Sequence, residues 1–122
     1  MQKSIVVVLG ASNKPHRYSY KAIRMLQEYG HGVIPVHPRL ENIDGLVVKH
    51  RTAHIDIPVD TLTLYIGPQR IAPLIDDIIQ LNPSRVILNP GTESEALELA
   101  LLHNKIGFLK DCTLRMLEQG RF

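Results

Sequence analysis

The chain has 122 residues, enough for a hydrophobic core of its own and too few for a nucleotide-binding domain joined to a separate catalytic domain. Its 14 lysines and arginines nearly balance 12 acidic residues, and this net charge of +2 argues against a protein that binds nucleic acid over its whole surface. A single cysteine, Cys112, excludes an internal disulfide and fits a reducing compartment.

The stretch from residue 4 to residue 20, SIVVVLGASNKPHRYSY, predicts the first strand and the first helix. Its apolar residues 5–9 are mostly β-branched and predict a buried strand, which the small residues 10–12 interrupt. We expect Ser19 to cap a helix that ends at Gly30. A buried strand, a tight turn of small residues and a helix start are together typical of a phosphate-binding βα unit.

Further strands are predicted from short apolar runs, at residues 33–36, 46–48, 61–66, 85–88 and 106–109. The run at 46–48 is short enough for an edge strand, whereas 61–66 reads as a central one. Between these two runs, residues 49–58 show no long period and predict an irregular crossover loop.

Helical patterns fall between the later strands. One follows Gly67 and Pro68 and places four apolar residues on one face, namely Ile71, Leu74, Ile75 and Ile78. Another begins with Thr92 and Glu95 at the spacing of a capping box and runs to about residue 103. A final helical turn or two is predicted over residues 113–119.

Strands that alternate with helices must pair in parallel. We therefore predict an α/β fold, a single Rossmann-like domain over residues 1–122 with a doubly wound, mainly parallel sheet of five to six strands and helices on both faces. Ligands of such sheets bind beyond the carboxyl ends of the strands, near the point where the strand order reverses. The segments expected there are 10–17, 37–39, 65–68 and 89–92.

The type of nucleotide follows from what these segments contain. A dinucleotide fingerprint needs G-x-G-x-x-G and an acidic residue after the second strand. This chain has only Gly10 in the loop, and its second strand ends in His37, Pro38 and Arg39. Both departures count against NAD. A basic residue at that place suits a ligand with an extra ribose phosphate, such as NADP or coenzyme A, and Lys14 and Arg17 add two more cations.

The order and spacing of several motifs resemble the small stand-alone coenzyme A-binding domain proteins, which are similar to the nucleotide-binding domain of the succinyl-CoA synthetase α chain. The resemblance covers nearly the whole chain. The motifs that carry it are Gly10-Ala11-Ser12-x-x-Pro15-x-Arg17, Ile34-Pro35-Val36-x-Pro38, Pro58-Val59-Asp60, the Pro68 turn, Pro90-Gly91-Thr92-Glu93 and the tail Cys112-Thr113-Leu114-Arg115-Met116-Leu117.

What the resemblance implies is binding of coenzyme A or an acyl-CoA. Residues Ser12, Lys14, Pro15 and Arg17 would hold its phosphates, residues 36–38 would lie beside the adenosine or pantetheine part, and Pro68 would line the crevice. His37 departs from the family, which usually has asparagine there. The candidate cofactor-binding residues are Gly10, Ala11, Ser12, Lys14, Pro15, Arg17, Ser19, Val36, His37, Pro38, Arg39, Gly67 and Pro68.

No catalytic or metal-binding residue is predicted. The histidines lack metal-ligand spacing, and the chain has no nucleophile elbow and no P-loop. Three functions stay open: a non-catalytic CoA-binding carrier, sensor or regulatory module, a small NADP-dependent oxidoreductase with Arg39 on the 2′-phosphate, and a Rossmann-shaped interaction module without a ligand. Calorimetric titration with CoA, NADP and NAD separates them.

The remaining expectations concern partners and location. The five apolar residues before Gly10 are too few for a signal-peptide core, and no apolar run approaches the length of a membrane span. We therefore expect a cytoplasmic protein with a small-molecule nucleotide ligand, without nucleic-acid or membrane partners, and able to form a homo-oligomer. A further hypothesis is that Cys112, at the start of a helical segment, forms a mixed disulfide with the CoA thiol.

Overall fold

A computed structural model describes residues 3–122. In chain order its strands and α-helices are β1 (Ile5–Leu9), α1 (Tyr18–Glu28), β2 (Gly32–Val36), β3 (Asn42–Ile43), β4 (Leu46–Val47), β5 (Thr61–Leu64), α2 (Ile75–Leu81), β6 (Arg85–Leu88), α3 (Glu95–His103), β7 (Gly107–Lys110) and α4 (Thr113–Glu118). Three short 3-10 helices cover Thr52–His54, Pro68–Arg70 and Ala72–Leu74.

Five strands form a parallel sheet in the order β2-β1-β5-β6-β7. Strand β1 lies between β2 and β5, with Val6 opposite both Val33 and Thr61. From β1 the chain moves outward to β2 on one side, and from β5 it moves through β6 to β7 on the other. The strand order therefore reverses between β1 and β5, which confirms the predicted doubly wound α/β fold with five strands.

Each face of the sheet is covered by two helices. Successive side chains of a strand point to opposite faces, so apolar strands present a hydrophobic surface on both sides of the sheet. One face packs strand residues such as Val7 and Leu62 against Ile78 of α2 and Leu97 of α3. On the other face, Val6 and Val8 of β1 pack in one cluster with Ile23 and Leu26 of α1 and Leu117 of α4. The prediction of helices on both faces is confirmed.

The prediction of an edge strand at residues 46–48 is wrong. Strand β4 pairs antiparallel with β3 in a separate two-stranded hairpin, with Asn42 opposite Val47. The reason is the turn between them, where Asp44 and Gly45 have φ values of +49° and +88°, as a tight hairpin turn requires. A parallel bridge between Val36 and Lys49 joins this region to β2.

Two predicted helix caps are also wrong. Helix α1 begins at Tyr18 after Arg17, which caps it without a side-chain hydrogen bond, and Ser19 lies inside the helix. A turn closed by the Arg17 N–H on the Lys14 carbonyl brings the chain into the helix earlier than expected. Helix α3 is capped by Ser94, whose hydroxyl accepts from the Leu97 N–H at 3.2 Å. The Thr92 hydroxyl is occupied elsewhere, since it donates to the Asn89 carbonyl at 2.7 Å.

The helical pattern after Gly67 and Pro68 forms regular α-helix only from residue 75. Before that point the chain makes two 3-10 turns, and the second contains Pro73. Proline lacks an N–H and is tolerated only in the first turn of an α-helix, so Pro73 prevents a continuous α-helix from running back to Gly67 and Pro68. Asn82 ends α2 in the left-handed conformation, φ +51°, as the Asn82-Pro83 pair predicts. Across residues 3–122, no helix is both long and apolar enough to cross a membrane.

The stability of this fold is expected to fall in acid because of His31. Its side chain is 5% exposed, and its Nδ1 accepts the Ser4 N–H at 3.0 Å, so the ring is held unprotonated at that nitrogen. Burial, and secondarily the charge of Arg85, lowers the pKa of His31. The unfolded chain, with an ordinary pKa of about 6.5, then binds the proton more readily, and the free energy of unfolding decreases as the pH falls through and below that value.

Urea denaturation between neutral and mildly acidic pH measures this effect. His31→Gln should have a shallower pH dependence than the wild type, even though it is less stable at neutral pH. The same substitution at the exposed His16 is the matched control and should keep the wild-type dependence. Equal slopes for the wild type and His31→Gln would show that His31 is not responsible.

Candidate functional site

A cleft of about 600 Å³ opens where the strand order reverses, at the carboxyl ends of β1, β2 and β5. This is the position at which doubly wound sheets bind ligands. Nine of the thirteen candidate residues line it, namely Gly10, Ala11, Ser12, Lys14, Arg17, Ser19, His37, Pro38 and Arg39. Six residues outside the candidate list complete the lining. Asn13, Tyr65 and Ile66 belong to segments expected at this edge, whereas Tyr18, Leu40 and Arg70 were not predicted.

The other four candidates lie outside the lining. Pro15 and Pro68 are exposed on the surface, and Gly67 precedes the 3-10 helix Pro68–Arg70 as its cap. The Val36 side chain is 2% exposed and packs in the core. Val36 contributes its backbone instead, because its carbonyl accepts the N–H groups of Gly10 at 3.2 Å and Ala11 at 3.0 Å.

These hydrogen bonds decide which amides of the loop can reach an anion. Gly10 and Ala11 direct their N–H groups to β2, and the Lys14 N–H donates to the Ser12 hydroxyl at 3.1 Å. The N–H groups of Ser12 and Asn13 make no hydrogen bond within residues 3–122. The small-residue loop therefore offers fewer amides than its sequence suggests, and the start of α1 becomes the main source of donors.

The amino end of α1 faces this cleft without a cap. Arg17 at the cap position makes no side-chain hydrogen bond to the helix, and the first turn contains no acidic residue. The first intrahelical bond runs from the Lys21 N–H to the Arg17 carbonyl, so the N–H groups of Tyr18, Ser19 and Tyr20 have no acceptor in the helix. With the positive end of the helix dipole, such donors form a ready site for a phosphate.

Four basic residues line the same cleft as this helix end, namely Lys14, Arg17, Arg39 and Arg70. In the part of the chain that the structure describes, none of them forms a salt bridge. Three arginines elsewhere are each paired with an aspartate, Arg24 with Asp44, Arg51 with Asp77 and Arg121 with Asp111. The uncompensated positive charge of the cleft attracts an anion.

The floor and mouth of the cleft carry aromatic side chains. Tyr65 leaves the end of β5, and burial of its hydroxyl raises the pKa of Tyr65 well above the usual range, so it stays a neutral phenol. Tyr18 at the mouth is 68% exposed, with the Lys21 Nζ 5.3 Å from its ring centroid. The lining contains no carboxylate, and residues 3–122 hold no group of three His, Cys, Asp or Glu side chains suited to a metal ion.

His37 is held by its own turn. Its Nδ1 accepts the N–H groups of Arg39 and Leu40, each at 3.0 Å, and its own N–H donates to the Lys49 carbonyl at 3.0 Å. Burial lowers the pKa of His37, and the charges of Arg39 and His50 lower it further. Cys112, in contrast, lies half-buried at the start of α4 and does not line the cleft, so its disulfide with CoA stays a prediction.

The model of a family described as CoA binding domain matches residues 3–118 of this chain. The chain belongs to the CoA-binding domain family. The match confirms the resemblance on which the sequence interpretation depended, and it includes every residue that lines the cleft.

Several solved structures share the fold of this CoA-binding domain. The crystal structure of an uncharacterized protein is 39% identical over the full length of both chains, with a TM-score of 0.92. A Thermus thermophilus protein is 27% identical, with 98% of this chain and 91% of that chain covered and a TM-score of 0.90. The dinucleotide-forming acetyl-coenzyme A synthetase 1 of Ca. Korarchaeum cryptofilum, 20% identical, shares the fold over 88% of this chain and 25% of its own, with a TM-score of 0.77.

Among curated proteins, the uncharacterized protein YneT of Bacillus subtilis (strain 168) is 23% identical over 75 residues. The match covers 62% of this chain and 56% of that protein, so the chain spans about half the length of the curated relative that it matches.

Proposed function

We propose that this chain binds coenzyme A or an acyl-CoA in the cleft, with residues 1–122 acting as one domain and as a non-catalytic carrier, sensor or regulatory module. The observation that carries the proposal is the amino end of α1, which has no side-chain cap and shares the cleft with basic residues that form no described salt bridge. Membership of the CoA-binding domain family supports the choice of ligand. A cytoplasmic location and assembly into a homo-oligomer stay predictions.

The number of cations supports a ligand with more than a diphosphate. Coenzyme A carries a diphosphate and a 3′-phosphate, and a phosphomonoester alone bears about −1.5 to −2 charges at neutral pH. Lys14, Arg17, Arg39 and Arg70 provide four positive charges in the lining of one cleft. NAD has only the diphosphate and would leave part of this charge unused. NADP has a comparable charge, but the loop has one glycine where the dinucleotide fingerprint has three.

The chemistry of the lining supports a role without catalysis. General acid–base catalysis needs a group that titrates near the working pH within reach of the ligand. Tyr65 is held neutral by burial, and the Nδ1 of His37 is already occupied by two backbone N–H groups. The basic side chains of the lining are cations. A lining of this kind binds and orients an anion.

Titration calorimetry with CoA, acetyl-CoA, NADP and NAD tests the proposal. Binding of CoA or acetyl-CoA in preference to both dinucleotides is the expected result. Preference for NADP would favour an oxidoreductase, and no heat with any of the four would favour an interaction module without a ligand.

Substitution of the cleft cations should weaken this binding. Lys14→Ala and Arg17→Ala are each expected to cost about 1–3 kcal/mol of binding free energy, the range for a hydrogen bond to a charged group. The matched control is Arg24→Ala on the outer part of the same helix, where the guanidinium pairs with Asp44 outside the cleft. If affinity for CoA is unchanged in both cleft variants, the phosphates bind elsewhere.

A further inference from the structure

The His37 side chain in the cleft accepts hydrogen bonds at a nitrogen that can no longer accept them once it is protonated. The Nδ1 of His37 receives two backbone N–H groups, from Arg39 and Leu40, each at 3.0 Å. A ring nitrogen accepts hydrogen bonds only when it carries no proton, so the neutral ring must bear its hydrogen on Nε2. The imidazolium form has N–H donors at both nitrogens and cannot make either bond.

These two bonds shape the turn that carries Arg39 into the cleft. His37 is anchored on its other side, since its N–H donates to the Lys49 carbonyl and the preceding Val36 carbonyl binds the Gly10 loop. Residues 38–40 have no other backbone hydrogen bond within residues 3–122. The direction of Arg39 is therefore set by this ring nitrogen and by the packing of Leu40 against the core.

We propose that the unprotonated Nδ1 of His37 is a latch that holds residues 38–40 so that Arg39 faces the cleft, and that protonation opens the latch and weakens the binding of a phosphate ligand. His37 is thus a positioning residue that acts through Arg39. The inference rests on the proposed function for its ligand, but the latch itself is a property of the free protein.

The surrounding charges keep the latch closed at neutral pH. Burial lowers the pKa of His37 most, followed by Arg39 on its own turn and the His50 imidazole on the segment after β4. Glu41, the nearby carboxylate, is bound to the His50 Nε2 at 3.0 Å. Lys49 meets His37 through its backbone carbonyl. Protonation consequently requires a pH below the usual histidine value of about 6.5.

The sign of the pH effect distinguishes this latch from simple charge attraction. A protonated His37 near phosphates would strengthen binding in acid if its charge were its main contribution. If its main contribution is the acceptor at Nδ1, binding weakens in acid. Asparagine can supply an equivalent acceptor through Oδ1 in a turn of this kind, and it does not titrate.

The first test is made without a ligand. Long-range ¹⁵N–¹H NMR spectra of the wild type should show the Nε2–H form of His37 at neutral pH. As the pH is lowered, the amide signals of Arg39 and Leu40 should move with the same midpoint as the His37 ring, whereas in His37→Asn they should stay in place. The latch would be overturned by a His37 ring protonated at Nδ1 at neutral pH. It would also be overturned if the amide signals of Arg39 and Leu40 did not move as the His37 ring titrates.

The second test compares affinities for CoA at about pH 8 and about pH 5 by calorimetry. The affinity of the wild type relative to His37→Asn should fall about tenfold toward the acid limit, the size of one charge-assisted contact. Protonation of the ligand affects both proteins equally and cancels in this ratio. His37→Ala, which has no acceptor, should bind about tenfold more weakly than His37→Asn at both values.

His50→Asn is the matched control, because it removes the neighbouring imidazole and leaves the Nδ1 of His37 in place. It should show the same fall as the wild type, shifted to slightly higher pH. The inference is overturned if the affinity of the wild type for CoA, divided by that of His37→Asn, stays constant or rises in acid. If the wild type binds no CoA at about pH 8, the proposed function fails, and the ligand effect of the latch fails with it. The NMR titration still decides the latch itself.

Discussion

Replacing Asn89 with alanine is expected to lower the free energy of unfolding by about 3–5 kcal/mol, the largest single effect that the described contacts predict. Asn89 ends β6 with 2% of its surface exposed. Its Nδ2 donates to the Thr63 hydroxyl at 2.7 Å and to the Leu64 carbonyl at 2.9 Å, and its Oδ1 accepts the Thr113 N–H at 2.9 Å. One amide thus joins β5, β6 and α4.

The cost is large because the partners stay buried when the amide is removed. Thr63 and Thr113 have no exposed surface, and their hydroxyls share a hydrogen bond of 2.7 Å. The Thr113 N–H at the start of α4 would lose its acceptor without access to water. A buried donor left without a partner costs about 1–3 kcal/mol, and the two lost bonds from Nδ2 add to it.

Chemical denaturation of the wild type and Asn89→Ala measures this difference. Asn104→Ala is the matched control, since the Asn104 Nδ2 donates to the Ala100 carbonyl at 2.8 Å on the exposed end of α3, and it should cost less than about 1 kcal/mol. Similar losses in the two variants would contradict the argument, because they would show that burial of the network adds nothing.

The strands and their alternation with helices were predictable because they depend on local patterns. The apolar run 85–88 coincides with β6, and the Asn82-Pro83 pair marks the end of α2. The caps depend on tertiary contacts. Thr92 and Ser94 are equally good caps as residue types, but the Thr92 hydroxyl is drawn to the Asn89 carbonyl, and this leaves Ser94 at the helix. The periodicity of the sequence does not indicate which of these two residues caps α3.

The location of the cleft was predictable for a similar reason. The rule that parallel strands present their carboxyl ends at one edge brings Lys14, Arg17 and Arg39 together, and the structure places all three in the lining. Arg70 was missed although it follows Gly67 at the same edge, because its segment was expected to be regular helix rather than a 3-10 turn. The bonds from the Gly10 loop to Val36 join two strands, which sequence spacing does not reveal.

Replacing Gly10 with alanine is the second large effect, with an expected loss of about 2–4 kcal/mol in the free energy of unfolding. Gly10 has φ +91°, which a residue with a Cβ adopts only with strain. A Cβ at this position would also lie 2.8 Å from the Ile66 Cγ1 and 2.8 Å from the Tyr65 carbonyl oxygen. The ends of β1 and β5 approach too closely at the reversal of strand order to admit even a methyl group.

Gly91→Ala separates the two causes. Gly91 has φ +88°, and a Cβ there meets nothing within 4 Å, so it should lose only the strain, roughly 1–2 kcal/mol. The excess loss in Gly10→Ala measures the clash with Tyr65 and Ile66, which line the cleft beside Gly10. To relieve it, this part of the lining must shift, so Gly10→Ala should also weaken the proposed binding of CoA under conditions where it is fully folded. Gly91→Ala should bind CoA as the wild type does, and equal stabilities of the two variants would show that close packing at the reversal point is not what requires glycine.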